Sequence, residues 1–259
     1  MSGSNVYESI VLDSNAMGES DLVVTLFTLE HGKVRCVAKG ARKSKRRFMN
    51  ALEPSTFLHA VIRESSRSTL FFLENATVKN VFESLRTDYT SFVMASLAME
   101  LVDLWCRQNQ QEKQIYDLLL WYLTSLDVTG VPRQKMVLTL VFKTRLLDAC
   151  GHFPPLGICA RCKKEIYSRQ AAYQPATGQL LCGGCKKEVN RHFLDLGAIR
   201  TMEYWQSRPA KRLMRLQVSR FVMNQIWHYL KDVHSHLLER QPKAYALAET
   251  VVSKCMGNQ

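Results

Sequence analysis

Cys159-Ala-Arg-Cys162 and Cys182-Gly-Gly-Cys185 are two cysteine pairs separated by nineteen residues. Each CxxC turn places two thiolates on one tight knuckle, and two knuckles can surround a zinc ion tetrahedrally at sulfur distances of about 2.3 Å. Between the pairs, residues 170–174 and 179–181 flank the turn residues 175–178, a pattern typical of a strand, a turn and a strand. The stretch therefore predicts a zinc ribbon whose ligands are Cys159, Cys162, Cys182 and Cys185.

Two other roles for these cysteines are disulfide bonds and a redox-active CxxC pair. A redox pair is normally single and stands beside a βαβ pattern, which the sequence does not offer. Disulfides are typical of secreted proteins, and residues 1–6 do not resemble the start of a signal peptide. Because four protein ligands leave no open coordination position, the zinc is expected to stabilise the fold and not to activate water.

The composition favours a polyanion as the partner. The 259 residues include 35 lysines and arginines against 23 acids, which gives a formal charge of +12 and an isoelectric point near 9.4. No apolar run reaches the roughly 18 residues of a membrane span, so nucleic acid is a better candidate than a membrane. The scattered Cys36, Cys106, Cys150 and Cys255 suit a reducing cytoplasm, and we expect a cytoplasmic protein associated with the nucleoid.

Residues 1–82 read as a small β domain. Alternating apolar residues and turn residues predict strands at 8–13, 22–28, 33–39, 56–62 and 69–73. Five short strands with edges to hide predict a closed barrel of the OB type, because closure removes the edges. The alternative is an open five-stranded sheet packed on the next domain.

Basic residues are concentrated between His31 and Arg47, where no acid occurs. They are Lys33, Arg35, Lys39, Arg42, Lys43, Lys45, Arg46 and Arg47. Strand alternation predicts that the first three share one face and that Val34, Cys36 and Ala38 face the core. Gly40 then ends the strand and starts a basic loop. With Phe48 nearby for base stacking, the segment predicts a nucleic-acid contact. The alternative is an ordinary solvated basic face.

Helical periodicity begins after residue 83. Apolar stripes predict helices within 90–107 and 115–126, and a third that starts at Pro132 and ends at Gly151. After the ribbon, we expect a short helix at 197–206 and a longer one with apolar positions from Leu213 to Leu230, while the tail 244–259 is at most a marginal helix. The fold class is α+β and multidomain, with a barrel (1–82), a helical domain in two parts (83–158 and 191–259) and an inserted zinc ribbon (159–190).

The chain resembles the RecO family of bacterial recombination mediators. The residues that carry the resemblance are 18–28, Gly32, 37–43 and 52–54, together with 146–155 running directly into Cys159. The resemblance covers nearly the whole chain. Its specificity comes from the order and spacing of these motifs.

The resemblance implies an N-terminal OB domain and a helical domain that carries the zinc module. It also implies that the protein binds single- and double-stranded DNA and anneals complementary strands without a nucleotide cofactor. The implied partners are RecR, the acidic and hydrophobic C-terminal tail of single-strand DNA-binding protein, and RecA indirectly. The family motif carries DNA contacts onto Lys33, Arg35, Lys39, Arg42 and Lys43, whereas Lys45, Arg46 and Arg47 rest on charge alone. The carboxylate of the single-strand DNA-binding protein's tail would need a cation on the helical domain of this chain. The candidates are Arg145, Arg212 and Arg215.

Two further functions compete with a mediator. Glu19 and Asp21, two apart beside a turn, could hold Mg²⁺ in a nuclease, but no third acid converges with them and we expect no enzyme. A zinc-ribbon transcription or RNA-binding factor would share the same charge pattern. Five histidines form no ligand set and are expected at the surface or at helix ends. They are His152, His192, His228, His234 and His236.

Overall fold

The computed structural model describes residues 4–44, 46–64, 71–186, 192–209, 213 and 217–257. The chain divides into two compact units, Met1–Asp127 and Val128–Gln259. Among the described residues, the first unit holds a β-barrel and helices α1 to α3, and the second holds helices α4 to α7 and a three-stranded sheet. None of the helices within these ranges is long and apolar enough to cross a membrane.

Five strands of the first unit close into a barrel in the order β1, β2, β3, β5, β4. Their bounds are Ser4–Met17 (β1), Asp21–Thr28 (β2), Gly32–Ala38 (β3), Phe57–Glu64 (β4) and Phe71–Asn80 (β5). Neighbouring strands are antiparallel except β3 and β5, which run parallel where Cys36 and Val37 meet Phe71 and Phe72. The closed OB-type barrel predicted from the sequence is confirmed.

Strand β1 is longer than the alternation in the sequence indicates, and its length closes the barrel. Its first half, Ser4–Ile10, pairs with β4, and its second half, Ser9–Met17, pairs with β2. An irregularity in register between Val11 and Asp13 lies at the change of partner, where a bulge bends a strand and increases its twist.

The segment that follows helix α2 packs against the start of β3. The amide of Asn109 donates to the carbonyl of Lys33 over 2.8 Å, and Gln108 forms a parallel bridge with Lys33. Gly32 makes this approach possible, because a Cβ atom on it would lie 1.8 Å from the carbonyl oxygen of Gln110. Gly32 also has a φ of +63°, a conformation that glycine adopts without steric cost. This position therefore accepts no side chain.

The described residues of the first unit also form the helices α1 (Ser84–Thr87), α2 (Tyr89–Trp105) and α3 (Lys113–Val128). Asp88 caps α2, since its carboxylate accepts a 2.7 Å hydrogen bond from the amide of Ser91. The amide of Ser84 donates to the Asp127 carboxylate over 2.8 Å, which ties the start of α1 to the end of α3.

Helix α4 is the centre of the second unit. In the described part of this unit the helices are α4 (Pro132–Ala149), α5 (Leu196–Ser207), α6 (Arg220–Leu237) and α7 (Ala244–Met256). Helix α4 contacts the other three and is buried on nearly every face, which explains why its apolar residues show little preference for one side. Pro132 occupies its first turn, as predicted.

Two expectations for the C-terminal helices are wrong. The long helix begins at Arg220, because Ser219 caps it by accepting from the amide of Val222, so Leu213 lies before it and not on it. The tail is an ordered helix, α7, whose Tyr245, Val251 and Val252 are buried. Contacts of α7 with α4 and α6 supply the stability that a short segment lacks alone.

The cysteine stretch forms the predicted hairpin. Strands β6 (Gln170–Tyr173) and β7 (Leu180–Leu181) pair antiparallel, and β8 (Phe193–Asp195) pairs with the other edge of β6. The hairpin turn is held against α6, where the Tyr229 hydroxyl donates to the carbonyl of Gly178 over 2.9 Å. Tyr173 adds a 2.7 Å hydrogen bond from its hydroxyl to the Asp232 carboxylate.

Candidate nucleic-acid interface and metal centre

The predicted basic segment begins on β3 and continues through a short 3₁₀ turn, Ala41–Lys43. Gly40 separates the two with a φ of +66°, and its amide donates to the Asp21 carboxylate over 2.8 Å. This hydrogen bond, followed by one from the Ser20 hydroxyl, lowers the pKa of Asp21 below its ordinary value. The carboxylate therefore stays ionised and fixes the point where the chain leaves the barrel strand.

Six of the eight predicted cations are exposed around this turn. They are Arg35, Lys39, Arg42, Lys43, Arg46 and Arg47, which we call the basic barrel surface. Two of them are held in place, because Arg47 donates to the carbonyl of Lys39 over 2.7 Å and Arg42 reaches the carbonyl of Gly18 at 3.3 Å. Lys45 lies outside the described residues.

Lys33 is not part of this surface. Its side chain is only 12% exposed, and its ammonium lies 3.2 Å from the carboxylate of Asp103 and donates to the carbonyl of the same residue. Such a half-buried ion pair orients the end of α2 on the barrel, and a phosphate would have to compete with it. Strand alternation predicts that Lys33 shares a face with Arg35 and Lys39, but its ammonium forms an ion pair with Asp103, which is 70 residues away in sequence.

Phe48, the aromatic residue predicted to stack on a base, does not lie at the surface. Phe48 is 4% exposed and belongs to the barrel core, with the Arg47 guanidinium 4.9 Å above its ring. It cannot stack on a base without leaving that core. The half-buried Phe72 on β5 instead lies beside two cations, since Lys39 and Arg63 are 5.3 and 5.0 Å from its ring centre. No pattern in the sequence predicts that Phe72 lies beside these two cations, because only the pairing of the strands brings them together.

The four predicted metal ligands come together in the second unit. The sulfur atoms of Cys159, Cys162, Cys182 and Cys185 all lie within 4.8 Å of one another. The sulfurs of Cys162 and Cys182 are 3.8 Å apart, and tetrahedral bonds of about 2.3 Å give a sulfur separation of about 3.8 Å. The donor set is thus suited to a four-coordinate metal.

Backbone hydrogen bonds prepare the first thiolate. Burial raises the pKa of Cys159, but amide donors from Cys162, Cys182 and Arg161 outweigh it and lower this pKa to about 6. The amide of Cys182 lies 3.4 Å from the Cys159 sulfur. In the second knuckle, the neighbouring Cys182 sulfur raises the pKa of Cys185 to about 12. Such a crowded set of thiols is stable as thiolates only when a cation shares their charge.

Glu19 and Asp21 do not form a metal site. Within the described ranges, the four cysteines are the one group of three or more side chains able to hold a metal. Asp21 already accepts two hydrogen bonds, which leaves Glu19 without a convergent partner. Of the three cations considered for a carboxylate partner, Arg145 is fixed on the carbonyls of Trp205 and Arg208, and Arg212 and Arg215 lie outside the described residues.

The second unit contains two buried basic residues, Lys143 and His234, whose burial no sequence pattern predicts. Lys143 on α4 is fully buried, and its ammonium lies 4.2 Å from the ring centre of Trp227 and 4.8 Å from that of Tyr245. Its Nζ atom has no hydrogen-bond partner among the described residues. Burial lowers its pKa well below the ordinary value. His234, expected near the surface, is also fully buried, with its Nε2 atom 3.3 Å from the carbonyl of Lys143.

A cavity of about 470 Å³ opens between α6 and α7. Arg220 and His228 supply basic groups to its wall, and Phe221, Trp227 and Val252 supply apolar surface. Phe221 is one of the apolar positions between Leu213 and Leu230 that predicted the long helix, but it is 60% exposed beside this opening. Asn224, Glu249 and Ser253 complete the lining, so five of its eight residues are polar or charged and the wall carries charges of both signs.

Comparison with known proteins places this architecture, a closed barrel followed by helices that carry a four-cysteine ribbon, in one family. Two family models match the chain, "Recombination protein O N terminal" over residues 1–82 and "Recombination protein O C terminal" over residues 86–246. The chain belongs to the RecO family.

Curated relatives agree with this assignment. The chain is 41% identical over 182 residues to the DNA repair protein RecO of Anaeromyxobacter dehalogenans, a match that covers 70% of each chain. It is 31% identical over 247 residues to the protein of the same name from Roseiflexus sp., which covers 94% of this chain and 84% of the relative. The Syntrophobacter fumaroxidans protein is 30% identical over 233 residues, or 89% of this chain and 91% of the relative.

Proposed function

We propose that this protein is a DNA-binding recombination mediator in DNA repair. It binds single- and double-stranded DNA, anneals complementary strands without ATP, and helps RecA to replace single-strand DNA-binding protein, in a complex with RecR at the nucleoid. The observation that carries the proposal is the basic barrel surface, with six exposed cations and no acid between His31 and Arg47, on a chain of this family.

The mechanism follows from charge. Two DNA strands repel each other through their phosphates, and a protein surface that neutralises phosphates releases the counterions condensed on them. Arg47 and Arg42 are held by backbone carbonyls, so less side-chain entropy is lost when they contact a phosphate. The Phe72 ring between Lys39 and Arg63 offers the aromatic face that an unpaired base requires. The site needs no catalytic group, and we propose that the protein is not an enzyme.

Zinc is the metal that we propose for the four cysteines. All four ligands are thiolates, which zinc prefers, and four protein ligands close its coordination sphere. When bound, the ion would neutralise the crowded thiolates and join the two knuckles. The residues that carry this role are Cys159, Cys162, Cys182 and Cys185.

The cavity between α6 and α7 supports a place for the tail of single-strand DNA-binding protein. The tail is acidic and hydrophobic, and the cavity offers Arg220 and His228 beside the apolar side chains of Phe221 and Trp227. The acid in the same wall, Glu249, is paired with Lys231. Arg220 replaces Arg145 as the candidate for the carboxylate, because Arg220 is exposed, whereas the Arg145 guanidinium is half-buried and donates to two carbonyls.

The test is annealing of two complementary oligonucleotides, each coated with single-strand DNA-binding protein, in the absence of ATP. We expect the protein to accelerate pairing and to leave the strands intact in the presence of Mg²⁺. Lys39→Ala combined with Arg42→Ala should weaken single-strand affinity about tenfold, slow annealing, and reduce the slope of log affinity against log salt by about 1.4, since each phosphate contact contributes about 0.7.

The matched control removes the same charge from the same unit. Arg107 and Lys113 are exposed and lie outside the basic barrel surface, so Arg107→Ala with Lys113→Ala should leave the salt slope nearly unchanged. Equal losses in both double variants would show that net charge, and not this surface, binds DNA. Tighter binding of structured RNA than of single-stranded DNA would favour the RNA-associated alternative.

A further inference from the structure

The first cysteine knuckle carries a second group of exposed cations. Arg161, Lys163 and Lys164 are exposed around Cys162, and none of them makes an ion pair within the part of the chain that the structure describes. We call these three residues together with Tyr167 the knuckle surface. A tetrathiolate site with one divalent ion carries a charge of about −2, so three local cations exceed what that site needs for neutrality.

Tyr167 is the most exposed large apolar side chain among the described residues, at 75%. Its ring is nevertheless held, because the hydroxyl donates to the carboxylate of Glu165. Arg200 approaches Glu165 at 3.5 Å and Glu203 at 3.0 Å. A hydrogen-bonded series thus anchors the tip of an aromatic ring to helix α5 while the faces of the ring remain in water.

The same series occupies the one acid of this stretch. Between Ile158 and Arg169 the sequence contains a single acidic residue, Glu165, and Arg200 and Tyr167 both engage it. Its hydrogen bond to Tyr167 lowers the pKa of Glu165, which keeps the anchor ionised. What remains open to a ligand is an aromatic face flanked in sequence by cations, the combination that binds an unpaired, negatively charged strand.

We propose that the knuckle surface is a second binding site for single-stranded DNA, in which the Tyr167 ring stacks on an unpaired base and Arg161 and Lys164 contact adjacent phosphates. This goes beyond the proposed function, which places DNA on the barrel. Two sites on one chain would let a single molecule hold two strands. Since stacking within a duplex covers both faces of each internal base, the site selects single strands over duplex.

Photo-crosslinking and affinity measurements on the full chain test the proposal. An oligothymidylate that contains 5-iododeoxyuridine, irradiated with the protein, should crosslink to the peptide that contains Tyr167. In the background Lys39→Ala with Arg42→Ala, which weakens the barrel site, Tyr167→Ala should reduce affinity for the same oligonucleotide about tenfold. Arg161→Gln with Lys164→Gln should lower the magnitude of the salt slope by about 1.4. Tyr167→Phe should keep most of the affinity because it keeps the ring.

Tyr204→Ala is the matched control, because Tyr204 is also exposed in the second unit with an arginine beside its ring, and it should have no effect. Wild-type affinity in Tyr167→Ala without a crosslink at Tyr167 would overturn the knuckle surface, as would an equal loss on duplex DNA. Neither result touches the barrel. Conversely, loss in the knuckle variants with no effect of Lys39→Ala and Arg42→Ala would overturn the barrel interface and leave this inference standing.

Discussion

Lys143 is an amine in the middle of an apolar helix bundle. With no hydrogen-bond partner for Nζ among the described residues, the two aromatic rings beside it are its main compensation. Aromatic contact with a desolvated cation favours the charged form by about 2 kcal/mol, whereas burial of an ammonium costs several kcal/mol. Burial therefore outweighs the aromatic contact, and the pKa of Lys143 is lowered.

Lys143→Met should stabilise the protein by about 1–3 kcal/mol at pH 7, because a residue of similar length replaces a costly polar group. The folded pKa lies below the ordinary value of 10.5. Between these two values the unfolded chain binds more protons than the folded chain, so wild-type stability rises with pH up to about 10.5. The variant should lose this rise. Urea denaturation at several pH values measures both effects.

Lys254→Met is the control, since Lys254 is exposed on α7 and its substitution should leave stability within about 0.5 kcal/mol. A destabilised Lys143→Met protein with an unchanged pH profile would mean that the Lys143 amine is charged and paired in the folded state.

The direction of individual side chains could be predicted from the sequence, but their partners could not. The alternation of β3 predicted that Val34, Cys36 and Ala38 face the core, and all three are buried. The same alternation could not reveal that Asp103, far away in sequence, takes the charge of Lys33. Nor could it show that Phe48 completes the barrel core. Local periodicity predicts the direction of a side chain but not its partner.

At the scale of elements, spacing and capping were informative and length was not. The four cysteines converge as their spacing predicted, and Pro132 starts α4. Helix α7 was underestimated because a short segment after Pro242 has little helical stability of its own. Buried contacts through Tyr245 and Val252 come from other helices, so they leave no local trace in the sequence.

Cys162→Ser should lower bound zinc from one equivalent per chain and destabilise the second unit by about 4 kcal/mol, because metal binding contributes directly to folding energy. Hydrogen exchange should increase along β6 and β7, while the barrel strands keep their protection. Zinc content and thermal unfolding provide the other readouts.

Cys255→Ser on α7 changes a cysteine outside the cluster and should leave zinc content unchanged. Full stability in a metal-free preparation of the wild-type protein would contradict a structural role for the metal.

At the scale of the whole molecule, the two units divide the binding chemistry. The basic barrel surface belongs to the first, and the four cysteines, the knuckle surface and the cavity between α6 and α7 belong to the second. The formal charge of +12 is the sum over both units. Long-range attraction of DNA depends on this total charge, whereas direct contacts with phosphates depend on where the individual cations lie.

Binding to single-stranded DNA should therefore depend strongly on salt. If the six cations of the basic barrel surface each meet one phosphate, log affinity should fall against log salt with a slope of about −4, or about 250-fold between 50 and 200 mM. Fluorescence anisotropy of a labelled oligothymidylate at five salt concentrations gives this slope. A slope near zero would contradict binding through phosphates.

The contact at Gly32 sets an order of events during synthesis. Strand β3 is translated early, yet the amide of Asn109, which donates to the carbonyl of Lys33 in that strand, is made 76 residues later. Until the ribosome has released that segment, one corner of the nascent barrel exposes unpaired backbone. A growing chain would carry this unfinished edge through the translation of β4, β5 and α2, and the emergence of residues 108–110 would seal it.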